Sequence, residues 1–127
     1  MLVIALVLAG LAAALHVYIF VLESVLWEAP RTRATFGTTA EVASATKPLA
    51  FNQGFYNLFL AIGAGVGIAL VGADRHASIA LVVLALGSML AAALVLVASD
   101  RTKASAAVTQ GAFPALSLLA LLIHALG

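Results

Sequence analysis

Cysteine is absent from this chain of 127 residues, and charged residues make up only 9% of it. The absence of cysteine excludes a disulfide framework, a thiolate nucleophile and a cysteine-based metal site. The scarcity of charge, with a formal net charge of +1 and basic residues scattered over short loops, argues against nucleic acid as a partner. We find no glycine-rich phosphate loop and no other cofactor motif, so no cofactor is evident.

Apolar residues dominate instead, at 65% of the chain, with a mean hydropathy of +1.20. Soluble proteins contain about 45–50% apolar and about 25% charged residues, so this composition predicts an integral membrane protein whose first partner is the lipid bilayer. Four apolar stretches approach the roughly 20 residues that a spanning helix needs: 2–26, 49–71, 77–98 and 104–126. We predict an all-α membrane four-helix bundle with antiparallel neighbouring helices, formed by residues 1–127 as one domain.

The distribution of lysine and arginine predicts an orientation. Five of the six basic residues fall in the first and third loops, and one falls in the second. With four spans, the first and third loops lie on the same side. The positive-inside rule then predicts that these loops are cytoplasmic and that both termini lie outside the cytoplasm.

The first loop is longer than a helix hairpin requires, and it carries a helix signal of its own. Thr38 followed by Glu41 matches a capping box that opens a short apolar segment, 42–45, which Pro48 would end. We predict a short helix at the membrane interface here.

Small residues recur at helical spacing in three of the spans. In lipid, small residues allow close approach of helix backbones. The pattern favours a compact bundle, and it equally suits a homo-oligomer through these glycine and alanine faces. The pairs are Gly10 with Ala14, Gly63 with Gly67, and Gly87 with Ala91.

Polar side chains gather in the half of the bundle next to the first and third loops. Glu23 and His16 lie seven residues apart on one face of the first span, and Trp27, which marks its interface, is also a candidate ligand-binding residue. An intramembrane acid is costly and is a functional-site candidate. The second and fourth spans bring further candidate ligand-binding side chains to a similar depth: Asn52, Gln53, Asn57 and Gln110. We predict a polar pocket open to the cytoplasm, and hydrogen bonding between helices is the alternative interpretation.

Glu23 and His16 add proton chemistry to this pocket. Glu23 is a candidate base, and His16 or Tyr56 a candidate acid, for a proton transfer such as an isomerisation. A metal site built on Glu23 and His16 is the weaker alternative, because it would need amide or water ligands to complete it.

The string Asn52-Gln53-Gly54-Phe55-Tyr56-Asn57, with His16, Glu23 and Trp27 before it and Gln110 and Pro114 after it, resembles the small bacterial membrane proteins grouped as domain of unknown function 1304. The resemblance covers nearly the whole chain. It implies four spans and a multipass location in the bacterial inner membrane, and it supplies no catalytic residues.

Three functions therefore remain open. The first is binding of a small lipid-soluble or amphipathic molecule in the polar pocket. The second is an intramembrane enzyme using Glu23 and His16. The third is a small transporter or a structural interaction subunit, although the apolar outer half and the lack of broken helices in paired repeats argue against transport by a monomer.

Overall fold

A computed structural model describes residues 1–127 and contains five α-helices and no strand. The four long helices confirm the predicted all-α four-helix fold. The four long helices are α1, Leu2–Phe20, continued by a π-helical turn, Val21–Val25; α3, Ala40–Ala69; α4, Arg75–Ser99; and α5, Ala104–Leu126. The fifth helix is short: α2, Pro30–Phe36. Short 3₁₀ turns, Leu70–Gly72 and Arg101–Lys103, lead out of α3 and into α5.

The four long helices form a ring in the order α1, α3, α4, α5. Each packs along both of its neighbours, and α1 scarcely touches α4 across the ring. Because each helix returns the chain to the opposite end, all neighbouring pairs are antiparallel. One end of the bundle holds both termini and the turn after α3. We call the other end, formed by 26–39 and 100–103 together with the first turns of α3, the basic end, because it carries five of the six lysines and arginines.

The core between the helices is built from small residues facing large ones. Helix α1 contributes only alanines to its centre, whereas α4 projects Val82, Leu86 and Met89 into it, all at most 1% exposed. Alanine lets α1 lie close to its neighbours, and the larger α4 side chains fill the remaining space. The alanines are Ala5, Ala9 and Ala12.

The four long helices are long and apolar enough to cross a membrane, which fits a multipass membrane protein. Large apolar side chains are exposed on every one of them, as expected of a surface that meets lipid rather than water. At about 1.5 Å per residue, the 30 residues of α3 span roughly 45 Å, more than the roughly 30 Å hydrocarbon core. We infer that the first turns of α3 project beyond that core at the basic end.

The short helix of the first loop lies earlier than predicted. It is α2, which begins at Pro30 and ends where Gly37 adopts a left-handed φ of 64°. The predicted segment 42–45 belongs instead to α3, whose cap is the Thr39 side chain and not that of Thr38. Pro48 does not end a helix: it lies inside α3, because a proline removes one hydrogen bond but still adopts helical φ.

The two loops of the basic end contact each other. The ammonium group of Lys103 donates to the carbonyl oxygen of Phe36 at 3.0 Å, so the 3₁₀ turn before α5 contacts the end of α2. Beside it, Asp100 accepts hydrogen bonds from the amide and the hydroxyl of Thr102, and these bonds hold the pKa of the Asp100 carboxyl below its usual value. Helix α2 is thereby tied to the bundle.

The small-residue pairs have different surroundings. A Cβ added to Gly67 would lie 2.8 Å from Val82 Cγ2, and one added to Gly63 would lie 3.8 Å from Ala85. These two glycines therefore serve the packing of α3 on α4. Gly87 has nothing within 4 Å of such a Cβ, so the face that it shares with Ala91 is open.

Candidate functional site

Glu23 lies at the centre of the one π-helical turn in the structure, Val21–Val25. The amide of Leu26 bonds to the carbonyl of Val21, five residues back, at 2.9 Å, instead of the fourth residue back as in an α-helix. Single π turns within α-helices occur frequently at functional sites. The buried acid Glu23 therefore lies on the one irregular turn of its helix.

The Glu23 side chain is 7% exposed and points into the bundle. Its Oε2 accepts a hydrogen bond of 2.8 Å from Nδ2 of Asn57 on α3. The same amide group also donates to the carbonyl of Gln53 at 3.2 Å, which holds it in place. Oε1 of Glu23 accepts no hydrogen bond from the protein, yet it is not a fully buried orphan atom, so it remains available to another group.

His16 lies on the buried alanine face of α1 and is 2% exposed. Its Nδ1 is 2.9 Å from the carbonyl oxygen of Ala12, one turn earlier in the same helix. No hydrogen bond joins it to Glu23. The two residues predicted as an acid and base pair therefore share the interior of the bundle without forming a pair.

The π turn is fastened to α3 by Ser24. Its hydroxyl donates to the carbonyl of Phe51 at 2.8 Å, and Gly54 makes the approach possible. A Cβ on Gly54 would lie 3.1 Å from both Cβ and the backbone nitrogen of Ser24, which is too close for an unshifted structure. Gly54, within the Asn52 to Asn57 string, therefore permits the close approach of Ser24 to α3.

Trp27 closes the site toward the basic end. Its indole N–H donates to the carbonyl of Ala43 at 3.0 Å and lies 3.3 Å from Oγ1 of Thr46. The ring packs on Phe36 with a centroid distance of 5.1 Å. The residue predicted as an interface marker is thus also a fixed wall of the site.

A cleft of about 150 Å³ opens beside the π turn. A single water molecule needs roughly 10–15 Å³ by a similar measure, so the cleft admits a compact chemical group. Glu28 and Lys47, which form an ion pair, lie at its edge. The lining residues are Glu23, Ser24, Val25, Leu26, Trp27, Glu28, Ala29, Lys47 and Phe51.

Several of the predicted site residues lie outside this cleft. Tyr56 is 63% exposed, so its hydroxyl does not reach Glu23 from the interior. Asn52 and Gln53 are also exposed, and Gln110 is half-buried on α5. None of these four side chains makes a hydrogen bond within the protein; Gln53 meets Asn57 through its backbone carbonyl. Of the three amide side chains predicted on α3, that of Asn57 is the one that reaches the acid.

Four of the polar and aromatic lining residues were not predicted from the sequence. Ser24, Glu28 and Lys47 carry no motif and lie near the ends of spans, where polar residues are common. Phe51 directly precedes the Asn52 to Asn57 string, and nothing in its spacing distinguishes it from the other phenylalanines of that span. Their one shared signal is proximity in the chain to Glu23 or to Asn57. No group of three or more histidine and carboxylate side chains is placed to hold a metal ion.

Comparison with known proteins gives one match. A family model described as Protein of unknown function (DUF1304) matches residues 10–122, which includes all of the site residues described above. No curated protein and no solved structure matches the chain. The match covers nearly the whole sequence and agrees with the resemblance carried by the Asn52 to Asn57 string. The chain therefore belongs to the DUF1304 family.

Proposed function

We propose that this protein binds a small lipid-soluble or amphipathic molecule in the cleft beside Glu23. In this proposal the molecule places its polar group against the carboxylate and leaves its apolar part among the helices or in the lipid. Small pockets that combine apolar walls with a few fixed polar groups suit such ligands.

The observation that carries the proposal is the state of the Glu23 side chain. It is buried, one of its oxygens is held by Asn57, and the other is without a protein partner next to an open cleft. Because that second oxygen is not fully enclosed and meets no protein donor, a group bound in the cleft can donate a hydrogen bond to it or approach it as a cation. The free oxygen therefore points to a ligand.

We further propose that the protein lies in the bacterial inner membrane with the basic end in the cytoplasm. The support is the excess of lysine and arginine in the first and third loops, which follows the positive-inside rule. The cleft would then open to the cytoplasm and to the inner leaflet.

The contacts of Glu23 favour binding over isomerisation and transport. An acid and base mechanism needs a second proton carrier within hydrogen-bond reach of the substrate, whereas Tyr56 is exposed and His16 bonds to its own helix. Transport needs a route to the other end. Beyond His16, the inner face of α1 consists of three fully buried alanines, which leave no polar route.

Fluorescence of Trp27 tests the proposal. Trp27 is the only tryptophan and lines the cleft, so a bound molecule should change its emission. The protein in dodecyl maltoside micelles, which carry no charge and no ammonium group, would be titrated with 1-octanol, octanoate and octyltrimethylammonium. We expect a saturable change with at least one compound.

The matched variants are Ala29→Phe, which fills the cleft, and Ala34→Phe, on the exposed surface of α2. We expect the saturable change to disappear in the first variant and to persist in the second. If none of the three compounds gives a saturable change, or if Ala29→Phe leaves it intact, the proposed binding function is wrong.

A further inference from the structure

The side chains that line the cleft include more acidic than basic groups. Its lining contains two carboxylates, Glu23 and Glu28, and one ammonium, Lys47. Lys47 forms an ion pair with Glu28. The negative charge of an ionised Glu23 is therefore without a positive partner. Glu23 also lies deeper, where the low dielectric disfavours a lone carboxylate charge and strengthens the attraction between that charge and a bound cation.

The hydrogen-bonding side chains of the lining also favour a cation over an anion. The Ser24 hydroxyl donates to Phe51, and the Trp27 indole donates to Ala43. Apart from Lys47, which is already paired, every side-chain donor of the lining is therefore in use. Among the unused groups is an acceptor, Oε1 of Glu23. The backbone amides of Trp27 and Glu28 have no partner either, so the preference rests on charge: a cation would find a free carboxylate oxygen, whereas an anion would meet two carboxylates and an ammonium that is already paired.

Aromatic rings extend from the cleft along the outside of the bundle. Phe51 lines the cleft, is 52% exposed, and packs on Phe55 at a centroid distance of 5.0 Å. Phe55 in turn contacts Phe20 at 5.1 Å and Phe59 at 6.2 Å. Phe59 is 59% exposed, so the row reaches the lipid-facing surface. Ring faces attract cations within about 6 Å of the centroid, and the rest of the row offers an apolar track.

We infer that the ligand of this cleft is an amphiphile with a single alkylammonium head group. The cation would lie between Oε1 of Glu23 and the rings of Trp27 and Phe51, with its alkyl chain along the Phe51, Phe55 and Phe59 row. The cleft accommodates a compact head group and not a whole amphiphile, which leaves the tail to the row and the lipid. This inference rests on the proposed function, since it names the class of molecule that the proposed site binds.

The titration described above distinguishes the head groups, because the three probes share one octyl chain. We expect octyltrimethylammonium to bind about tenfold more tightly than 1-octanol, equivalent to one favourable charge contact, and octanoate to bind most weakly. Equal or tighter binding of 1-octanol or octanoate would overturn the inference.

A second test removes the negative charge of Glu23. Glu23→Gln keeps the size of the side chain, and we expect it to weaken octyltrimethylammonium binding about tenfold or more while changing 1-octanol binding little. Glu41→Gln, on the exposed first turn of α3, is the matched control and should bind as the wild type does. Unchanged octyltrimethylammonium binding in Glu23→Gln would contradict the inference.

A third variant covers the case in which Glu23→Gln does not fold, as judged by circular dichroism. Phe51→Leu keeps an apolar side chain and removes a ring, so it should reduce the preference for octyltrimethylammonium over 1-octanol; an unchanged preference would contradict the inference. The failures are distinguishable. If 1-octanol binds best and Ala29→Phe abolishes that binding, the proposed function stands and the ammonium assignment falls. If no probe binds in the cleft, both fall.

Discussion

At the scale of single residues, the buried acid of the first span, Glu23, and its amide partner on α3, Asn57, form a hydrogen bond between two helices. The sequence was sufficient to select Glu23, because an acid within an apolar run is conspicuous. It was also sufficient to bring the amides of the second span near it. It could not decide which amide makes the bond, since Asn52, Gln53 and Asn57 lie within six residues of one another. In the structure the side chain of Asn57 points toward Glu23, whereas those of Asn52 and Gln53 are exposed.

Replacing Asn57 with alanine tests that contact. In Asn57→Ala the carboxyl of Glu23 loses its one donor, and we expect the free energy of unfolding to fall by about 1–3 kcal/mol. The measurement is unfolding of the purified protein from mixed micelles, followed by circular dichroism. Gln53→Ala is the control, because the Gln53 side chain is exposed and makes no hydrogen bond; it should change stability by less than about 0.5 kcal/mol. Equal stability of the two variants would contradict the assigned role.

At the scale of elements, the four spans were predictable and their irregularities were not. Apolar runs of membrane-spanning length leave few alternatives to a helix, so α4 lies within two residues of its predicted bounds and α5 coincides with them. Helix α3 begins nine residues earlier than predicted, because Pro48 is compatible with a helix whose start is capped by Thr39. The π turn has no sequence signature, since it arises from how α1 meets α3 through Ser24 and Gly54.

The contact between α3 and α4 gives a prediction at this scale. Gly67→Ala would place a methyl group 2.8 Å from Val82 Cγ2 and 3.0 Å from the Val82 backbone nitrogen. We expect this overpacking to destabilise the protein by about 1–3 kcal/mol. Gly65→Ala is the matched control two residues away: it meets nothing within 4 Å, so its higher helix propensity should stabilise the protein by roughly 0.5–1 kcal/mol. Thermal unfolding in one detergent compares the two variants, and shifts of the same sign would refute the assigned packing.

At the scale of the whole molecule, the two ends of the bundle differ in charge and in content. The basic end holds the cleft, the short helix α2 and the contact between Lys103 and Phe36. The opposite end holds the termini and a tight turn capped by Asp74. This asymmetry is what an oriented membrane protein requires, and the loop charges alone were enough to predict it. The closure of the first loop onto the third was not predictable, because it depends on a contact between residues 67 positions apart.

The absence of cysteine makes the orientation directly testable. Ala34→Cys on α2 and Ala73→Cys in the turn after α3 each introduce one exposed thiol at opposite ends. With the basic end in the cytoplasm, a membrane-impermeant maleimide added to intact cells should label the Ala73→Cys protein at once. It should label the Ala34→Cys protein only after the cells are opened. The reverse pattern would show that the orientation is opposite to the one proposed.

The hydroxyl of Ser117 on α5 donates to the carbonyl of Ala5 on α1 at 2.7 Å, across 112 positions of the chain. At roughly 5–20 residues per second, the ribosome makes these two partners about 6–22 seconds apart. During that time α1 is already synthesised while the side that α5 will cover is still open. The bundle is therefore completed only after its last helix has been made, and a chain that stops short of α5 would leave the alanine face of its first helix exposed to whatever in the cell recognises unfinished membrane proteins.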